Sequence, residues 1–288
     1  MARLWLRSAC ALIFAVACTV ATASTASAAP DGFHPPKQFY LALGDSIPYG
    51  FQTAKALAGL PPEDFNTGFV DDFGARLRHL RPGLRTVNFS CPGESTTSFV
   101  APCIWKTSGH ALHDDYSGSQ LTAALDFLEA HRGKVSPITL SLNGNDINAF
   151  LQTCPPGDLA CVVAGAPAAI AQYQARLTAL LSRLRAAAPD AEIIVTGAYD
   201  PNVGAFAFAD PLFQALNEAQ AAAVATVHAR FADPFPIFNP QGDVAAETMA
   251  ICTLTLVCTA GDSHPSDAGY RALGRLVWDA SGYSRLTE

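Results

Sequence analysis

Four short stretches carry residues able to do chemistry: "GDS" at 44–46, "SCPGES" at 90–95, "NGND" at 143–146 and "GDSHPSDAGY" at 261–270. In the first, an apolar run from Phe39 to Leu43 breaks off on a glycine, an acid and a hydroxyl, and Pro48 follows. Proline suits the first turn of a helix. A serine delivered to the mouth of a helix has two uses. Asp45 or Ser46 can cap the helix, or Ser46 can be a nucleophile, which requires a base to take its proton during attack. A different chemistry, metal ligation, is suggested by "HALH" (His110, His113) beside Asp114 and Asp115. Gly109 and Gly118 flank that stretch, however, and a surface loop is expected there. Asp45 and Asp146 read as anchors that hold their loops by hydrogen bonds.

These stretches need elements to position them. "QFYLALGDS" reads as a strand, and "GFVDDFGARLRHL" as an amphipathic helix with Phe69, Val70, Phe73 and Leu77 on one side. "RTVNFS" is a short strand. "SQLTAALDFLEAHR" is a helix capped by Ser119, with Leu121, Leu125 and Leu128 on one face. "SPITLSLNGND" is a strand ending on a polar turn, and "APAAIAQYQARLTALLSRLRAAAP" a long helix stopped before Pro189. "AEIIVTGAY" is the next strand, and "LFQALNEAQAAAVATVHARF" the next helix, with His228 as a structural residue inside it. A final helix follows His264. Strands alternating with helices predict a parallel sheet covered on both faces, a three-layer α/β/α sandwich in one domain spanning 29–288. In such sheets the functional loops lie at the carboxyl ends of the strands. Three of the four stretches fall at such ends. Phe206, Phe208 and Phe213 follow the fourth strand, with Phe235 and Phe238 later. Core packing is their default use, and lining an acyl groove the sharper one.

The N-terminus reads differently. Arg3 and Arg7 precede an apolar stretch, Ala9 to Ala21, followed by "ASAAP". A positive region, a hydrophobic region and an Ala-x-Ala signal predict a secretory signal peptide over 1–28, cut after Ala28. No other segment is apolar for the ~20 residues a membrane span needs, so a secreted, extracellular protein without stable membrane insertion is expected. Of eight cysteines, Cys10 and Cys18 leave with the signal. The other six form sequence-local couples, and we expect disulfides Cys91–Cys103, Cys154–Cys161 and Cys252–Cys258. Cys-x-x-Cys spacing is absent, which argues against a zinc site. The net charge is −7, and no Lys/Arg cluster suited to phosphates is visible, so nucleic acid is not an expected partner.

With all four blocks at these places and in this order, the sequence resembles the SGNH hydrolases, also called GDSL lipases and esterases. The resemblance runs from Leu41 to Tyr270. It implies a flavodoxin-like parallel sheet, Ser46 as nucleophile and His264 as catalytic histidine. The oxyanion hole would draw on the Ser46 N–H, the Gly93 N–H and the Asn145 side chain. No metal or organic cofactor is implied. Two positions depart from the family pattern. Asn143 stands where glycine is usual, in a turn that a left-handed asparagine would tolerate. Gly261 stands where the acid is usual, three residues before the histidine, leaving Asp262 as the nearest carboxylate. Its carboxylate, or a backbone carbonyl of Gly261 or Asp262, would orient His264. The α/β-hydrolase alternative needs Gly-x-Ser-x-Gly, which Gly-Asp-Ser-Ile-Pro does not supply. The resemblance implies a monomeric ester hydrolase acting on a small-molecule or lipid ester. Secretion and apolar residues near the site favour fatty-acyl esters. A carbohydrate acetylesterase and an inactive binding protein are the alternatives.

Overall fold

Apolar runs bounded by glycine and polar turns form five parallel strands in the computed structural model, which describes residues 35–202 and 209–286. They are β1 (Phe39–Gly44), β2 (Arg85–Asn88), β3 (Val135–Ser141), β4 (Ile193–Thr196) and β5 (Arg230–Ala232), in the order β2-β1-β3-β4-β5. This is the flavodoxin-like order, in which the crevice at the carboxyl end falls where the chain reverses direction across the sheet. Every residue of β1 and β3 is buried, as expected of strands covered on both faces.

The two faces of β1 show why the layers form. Tyr40 and Ala42 point into a core with Phe69, Val70, Phe73 and Leu77 of the Phe69–Leu80 helix, and with Tyr270, Leu273 and Val277 of the Asp267–Ser281 helix. Phe39, Leu41 and Leu43 point the other way, against Leu121 and Leu128 of the Gln120–Ala130 helix and Leu177, Leu181 and Leu184 of the Leu159–Ala187 helix. Period-2 strands and period-3.6 helices thus meet along matching apolar stripes. Ser119 caps its helix as expected, its hydroxyl accepting the Thr122 N–H at 3.1 Å.

Several sequence expectations are corrected. The long helix begins at Leu159, capped by Asp158, more than one turn before the expected start, and carries Pro167 inside it. The next helix ends at Ala225. His228 therefore lies beyond it, exposed in a turn with φ 50°, and Arg230–Ala232 form β5. A helix over Val244–Leu254 and a short antiparallel pair, β6 (Thr255–Leu256) and β7 (Asp262–Pro265), were not anticipated. All three disulfides are present in the expected couples, but helix ends, rather than loops alone, hold them. Cys161 lies in the first turn of the long helix, and Cys252 near the end of Val244–Leu254. The expected signal peptide, Phe206 and Phe208 lie outside the described residues. Among the described residues, no helix is long and apolar enough to cross a membrane.

Candidate active site

The turn after β1 separates the capping role from the serine. Asp45 is the cap: its carboxylate accepts the Ile47 N–H at 2.9 Å, and Ser46 is the first residue of the Ser46–Tyr49 helix with its side chain unused by the cap. Gly44 makes the turn possible. Its φ is 130°, and a Cβ there would lie 2.0 Å from the Ser141 carbonyl oxygen, so only glycine fits. Asp45 is buried beneath the serine. Burial pushes its carboxyl up to about 7, against the N–H groups of Ile47 and Asn143 that favour the anion, and nearby Asp146 adds to the rise.

β7 brings the imidazole. His264 Nε2 lies 2.9 Å from Ser46 Oγ, and its Nδ1 lies 2.6 Å from Asp262 Oδ1. The two-residue spacing works because Asp262 folds back on its own backbone. Oδ1 accepts both the His264 N–H at 3.1 Å and the ring Nδ1–H, while Oδ2 accepts the Thr53 N–H at 2.7 Å. That is an Asx turn with the histidine at its far end. Gly261 is the left-handed cap (φ 65°) of the short Val257–Ala260 helix and offers no side chain for the role. Partial burial alone would raise the Asp262 carboxyl. The bonds from His264 and the Thr53 N–H outweigh it and hold the group well below the usual carboxylate range. The ring of Phe51 packs against His264 at 4.7 Å between centroids. Of the two acceptors the sequence left open for His264, the structure supplies the carboxylate.

The turn after β3 carries Asn145. Asn143 stands at φ −151°, so no left-handed conformation is involved there. Its side chain instead accepts the Gly144 N–H and donates to the carbonyls of Thr196 and Gly197, tying β3 to β4. Asn145 donates one amide hydrogen to the Glu94 carbonyl at 2.8 Å, and an amide nitrogen carries two. Asn145, Ser46 and His264 line one cavity of about 160 Å³. Gly93, at φ 88°, is exposed and is not part of that wall. Its loop is nonetheless drawn to the turn that bears Ser46 by the bond from the Cys91 N–H to the Gly44 carbonyl at 2.9 Å. Asp146 anchors the same loop, accepting the Thr96 N–H and hydroxyl as well as Arg176.

The arrangement can therefore activate a hydroxyl, accept its proton and steady the resulting imidazolium. Sequence reasoning missed Thr53, Phe51 and Gln120, which stand in no motif, and gave no role to Glu94, although it lies within the "SCPGES" block. The "HALH" stretch is a loop, as expected: His110 stacks on Trp105 at 3.7 Å and His113 Nε2 lies 2.9 Å from the Tyr49 carbonyl. No group of three or more His, Cys, Asp or Glu among the described residues is arranged to hold a metal ion.

Solved structures with this fold include an extracellular lipase from Streptomyces rimosus, 17% identical, covering 84% of this chain and 99% of that one, with a TM-score of 0.55. Phospholipase A1 from Streptomyces albidoflavus is likewise 17% identical, covering 85% of this chain and 99% of that one, with a TM-score of 0.55. A mutant of an acetyl-xylooligosaccharide esterase from Geobacillus is 16% identical over 86% of this chain and 95% of that one, with a TM-score of 0.52. A comparison with curated proteins gives no match. The model of the GDSL-like lipase/acylhydrolase family matches residues 42–272, from the strand that delivers Ser46 to the helix that follows His264, and the chain belongs to that family.

Proposed function

We propose that the protein is an exported serine hydrolase that cleaves fatty-acyl esters through an acyl-enzyme on Ser46. One observation carries this reading: the continuous chain from Asp262 Oδ1 through His264 to Ser46 Oγ, at 2.6 and 2.9 Å. In the first half-reaction Ser46 Oγ attacks the ester carbonyl while His264 Nε2 takes its proton. The Asp262 carboxylate holds Nδ1–H and balances the imidazolium charge. The tetrahedral oxyanion is held by the Ser46 N–H and the second amide hydrogen of Asn145, donors set before the charge appears, with the Gly93 N–H as the third donor that the family resemblance implies. Collapse breaks the C–O bond, and His264 returns the proton to the leaving alcohol. Water, deprotonated by His264, then attacks the acyl-enzyme and releases the acid and Ser46.

The fold by itself does not sort substrates, since lipid and acetyl-sugar esterases share it. Support for an acyl chain comes from an apolar groove of about 980 Å³ whose walls include Leu151, Leu159, Val162, Val163 and Ile170. It shares Ile147, Asn148 and Phe213 with the cavity at Ser46. A chain of several methylenes gains about 0.8 kcal/mol for each one buried there. Phe213 lies both in the core and in the wall of the groove, whereas Phe235 and Phe238 belong to the core. Export is supported by the Arg3–Ala28 pattern and by three disulfides, which persist in oxidising compartments. An acyl series from acetate to palmitate tests the substrate. We expect kcat/KM to rise beyond acetate and to peak at medium or long chains. Activity confined to acetate would favour the carbohydrate acetylesterase instead.

A further inference from the structure

Gln120 and Glu94 are fully buried polar side chains that the acyl-transfer steps do not use. Gln120, the first residue of its helix, points back at the end of β1. Its Oε1 accepts the Gly44 N–H at 2.6 Å, and its Nε2 donates to the Gly44 carbonyl at 2.9 Å. It pairs with Gly44 as a neighbouring strand would, on the side where β2 has ended. The same Nε2 donates to Glu94 Oε2 at 3.2 Å, and Glu94 Oε1 accepts the Ser98 hydroxyl at 2.6 Å. Backbone groups join the knot. The Cys91 N–H donates to the Gly44 carbonyl at 2.9 Å, and the Glu94 carbonyl accepts the Asn145 amide at 2.8 Å.

Burying an amide and a carboxyl is costly unless both are bonded, and a satisfied polar network rigidifies what it joins. The parts joined here are specific. Gly44 lies two residues before Ser46, Glu94 directly follows Gly93, and Asn145 is held by the Glu94 carbonyl. Each of the three oxyanion donors is therefore within two residues or one hydrogen bond of a single buried knot. An apolar pair of the same volume would fill this space, but it would not bond Gly44 on both its N–H and its carbonyl.

We propose that Glu94 and Gln120 are positioning residues that hold the Ser46 N–H, the Gly93 N–H and the Asn145 amide in one register for the oxyanion. Neither touches substrate. Their effect is on transition-state geometry, where displacement by about 1 Å can cost about 10²-fold in rate. The inference rests on the serine-hydrolase reading above.

The test compares Glu94→Leu, Glu94→Gln and Ser98→Ala on a soluble short-chain nitrophenyl ester, with affinity for an alkyl boronic acid as the tetrahedral mimic. Glu94→Gln keeps an acceptor for Gln120 and a partner for Ser98, whereas Glu94→Leu loses both. We expect Glu94→Leu to lower kcat about 10- to 100-fold with KM within about threefold, and to weaken the boronate in parallel. Glu94→Gln should restore kcat to within about threefold of wild type. Ser98→Ala, which removes the hydroxyl that bonds Glu94 and accepts from Ser95, should lower kcat about three- to tenfold and serves if Glu94→Leu does not fold. A folded Glu94→Leu with wild-type kcat and boronate affinity would overturn the proposal, as would an unchanged Ser98→Ala where Glu94→Leu does not fold. A wild-type enzyme whose Ser46 is not labelled by a fluorophosphonate would instead defeat the serine-hydrolase reading itself.

Discussion

Asp262 decides whether this site works as a triad or as a pair. Its carboxylate bonds both the backbone and the ring of His264, so one side chain sets the loop and the tautomer together. Asp262→Asn presents an amide where an anion stood. It should lower turnover by about 10³ or more on a soluble ester, with the fold intact by circular dichroism. A loss below about tenfold would mean that a backbone carbonyl suffices. Ser46→Ala and His264→Ala should each abolish hydrolysis, and the double variant should be no worse than either, because the unit is already disabled. The residues that meet at the site, Ser46 and His264, were legible in the sequence because their types and order are restrictive. Asp262 was half legible. Its identity stood out, but the Asx turn that makes a two-residue spacing workable shows in no motif, and the bond that fixes the other carboxylate oxygen comes from Thr53, 209 positions away. Gln120 was not legible, since a buried glutamine bonded to a strand end leaves no local pattern, and Glu94 stood in a recognised block without a sign that its side chain is bonded to Gln120.

At the scale of elements, the strand ends do the positioning, and the turn after β1 has the least freedom. Gly44→Ala would force a Cβ to within 2.0 Å of the Ser141 carbonyl oxygen, on a rigid neighbouring strand. We expect a loss of more than about 3 kcal/mol in denaturant unfolding, by strain at a positive φ combined with overpacking. Stability within about 1 kcal/mol of wild type would contradict the geometry. The long amphipathic segments were readable because apolar periodicity survives whatever surrounds it, as with Phe69, Phe73 and Leu77. β5 was absorbed into a helix because three residues, Arg230–Ala232, are too few to display a period. The helix end at Ala225 was hidden for a related reason. Alanine favours a helix, but the turn through His228 is set by the need to return to the sheet edge. The long helix was begun too late because Pro167 resembles a first-turn proline, whereas Asp158 is the residue that caps it.

Across the whole molecule, several buried carboxyls share one consequence. Burial raises Asp45 to about 7, Glu94 to about 7 and Asp200 to about 6. In the unfolded chain such groups release their protons near pH 4. Between about pH 4 and 7 the folded state therefore holds more protons, and stability falls as pH rises across that window. Asp262 acts in the opposite sense. Its folded value is depressed, so its contribution is present above the ordinary carboxylate range and is lost only in strong acid. Urea midpoints should accordingly be higher at pH 5 than at pH 8, and the reverse order would refute the assignment. The three-layer architecture was legible from the alternation of strands and helices. The sheet order could not be read from that alternation, because the order of elements along the chain does not say which strands are neighbours; the family resemblance supplied it by implying a flavodoxin-like sheet. The central claim, that Ser46 is the nucleophile, is met most directly by treating the purified protein with a fluorophosphonate and mapping the adduct by mass spectrometry. The account predicts one adduct per chain, on Ser46, and none on Ser46→Ala; an unlabelled wild-type chain, or an adduct on another residue that persists in Ser46→Ala, would contradict it.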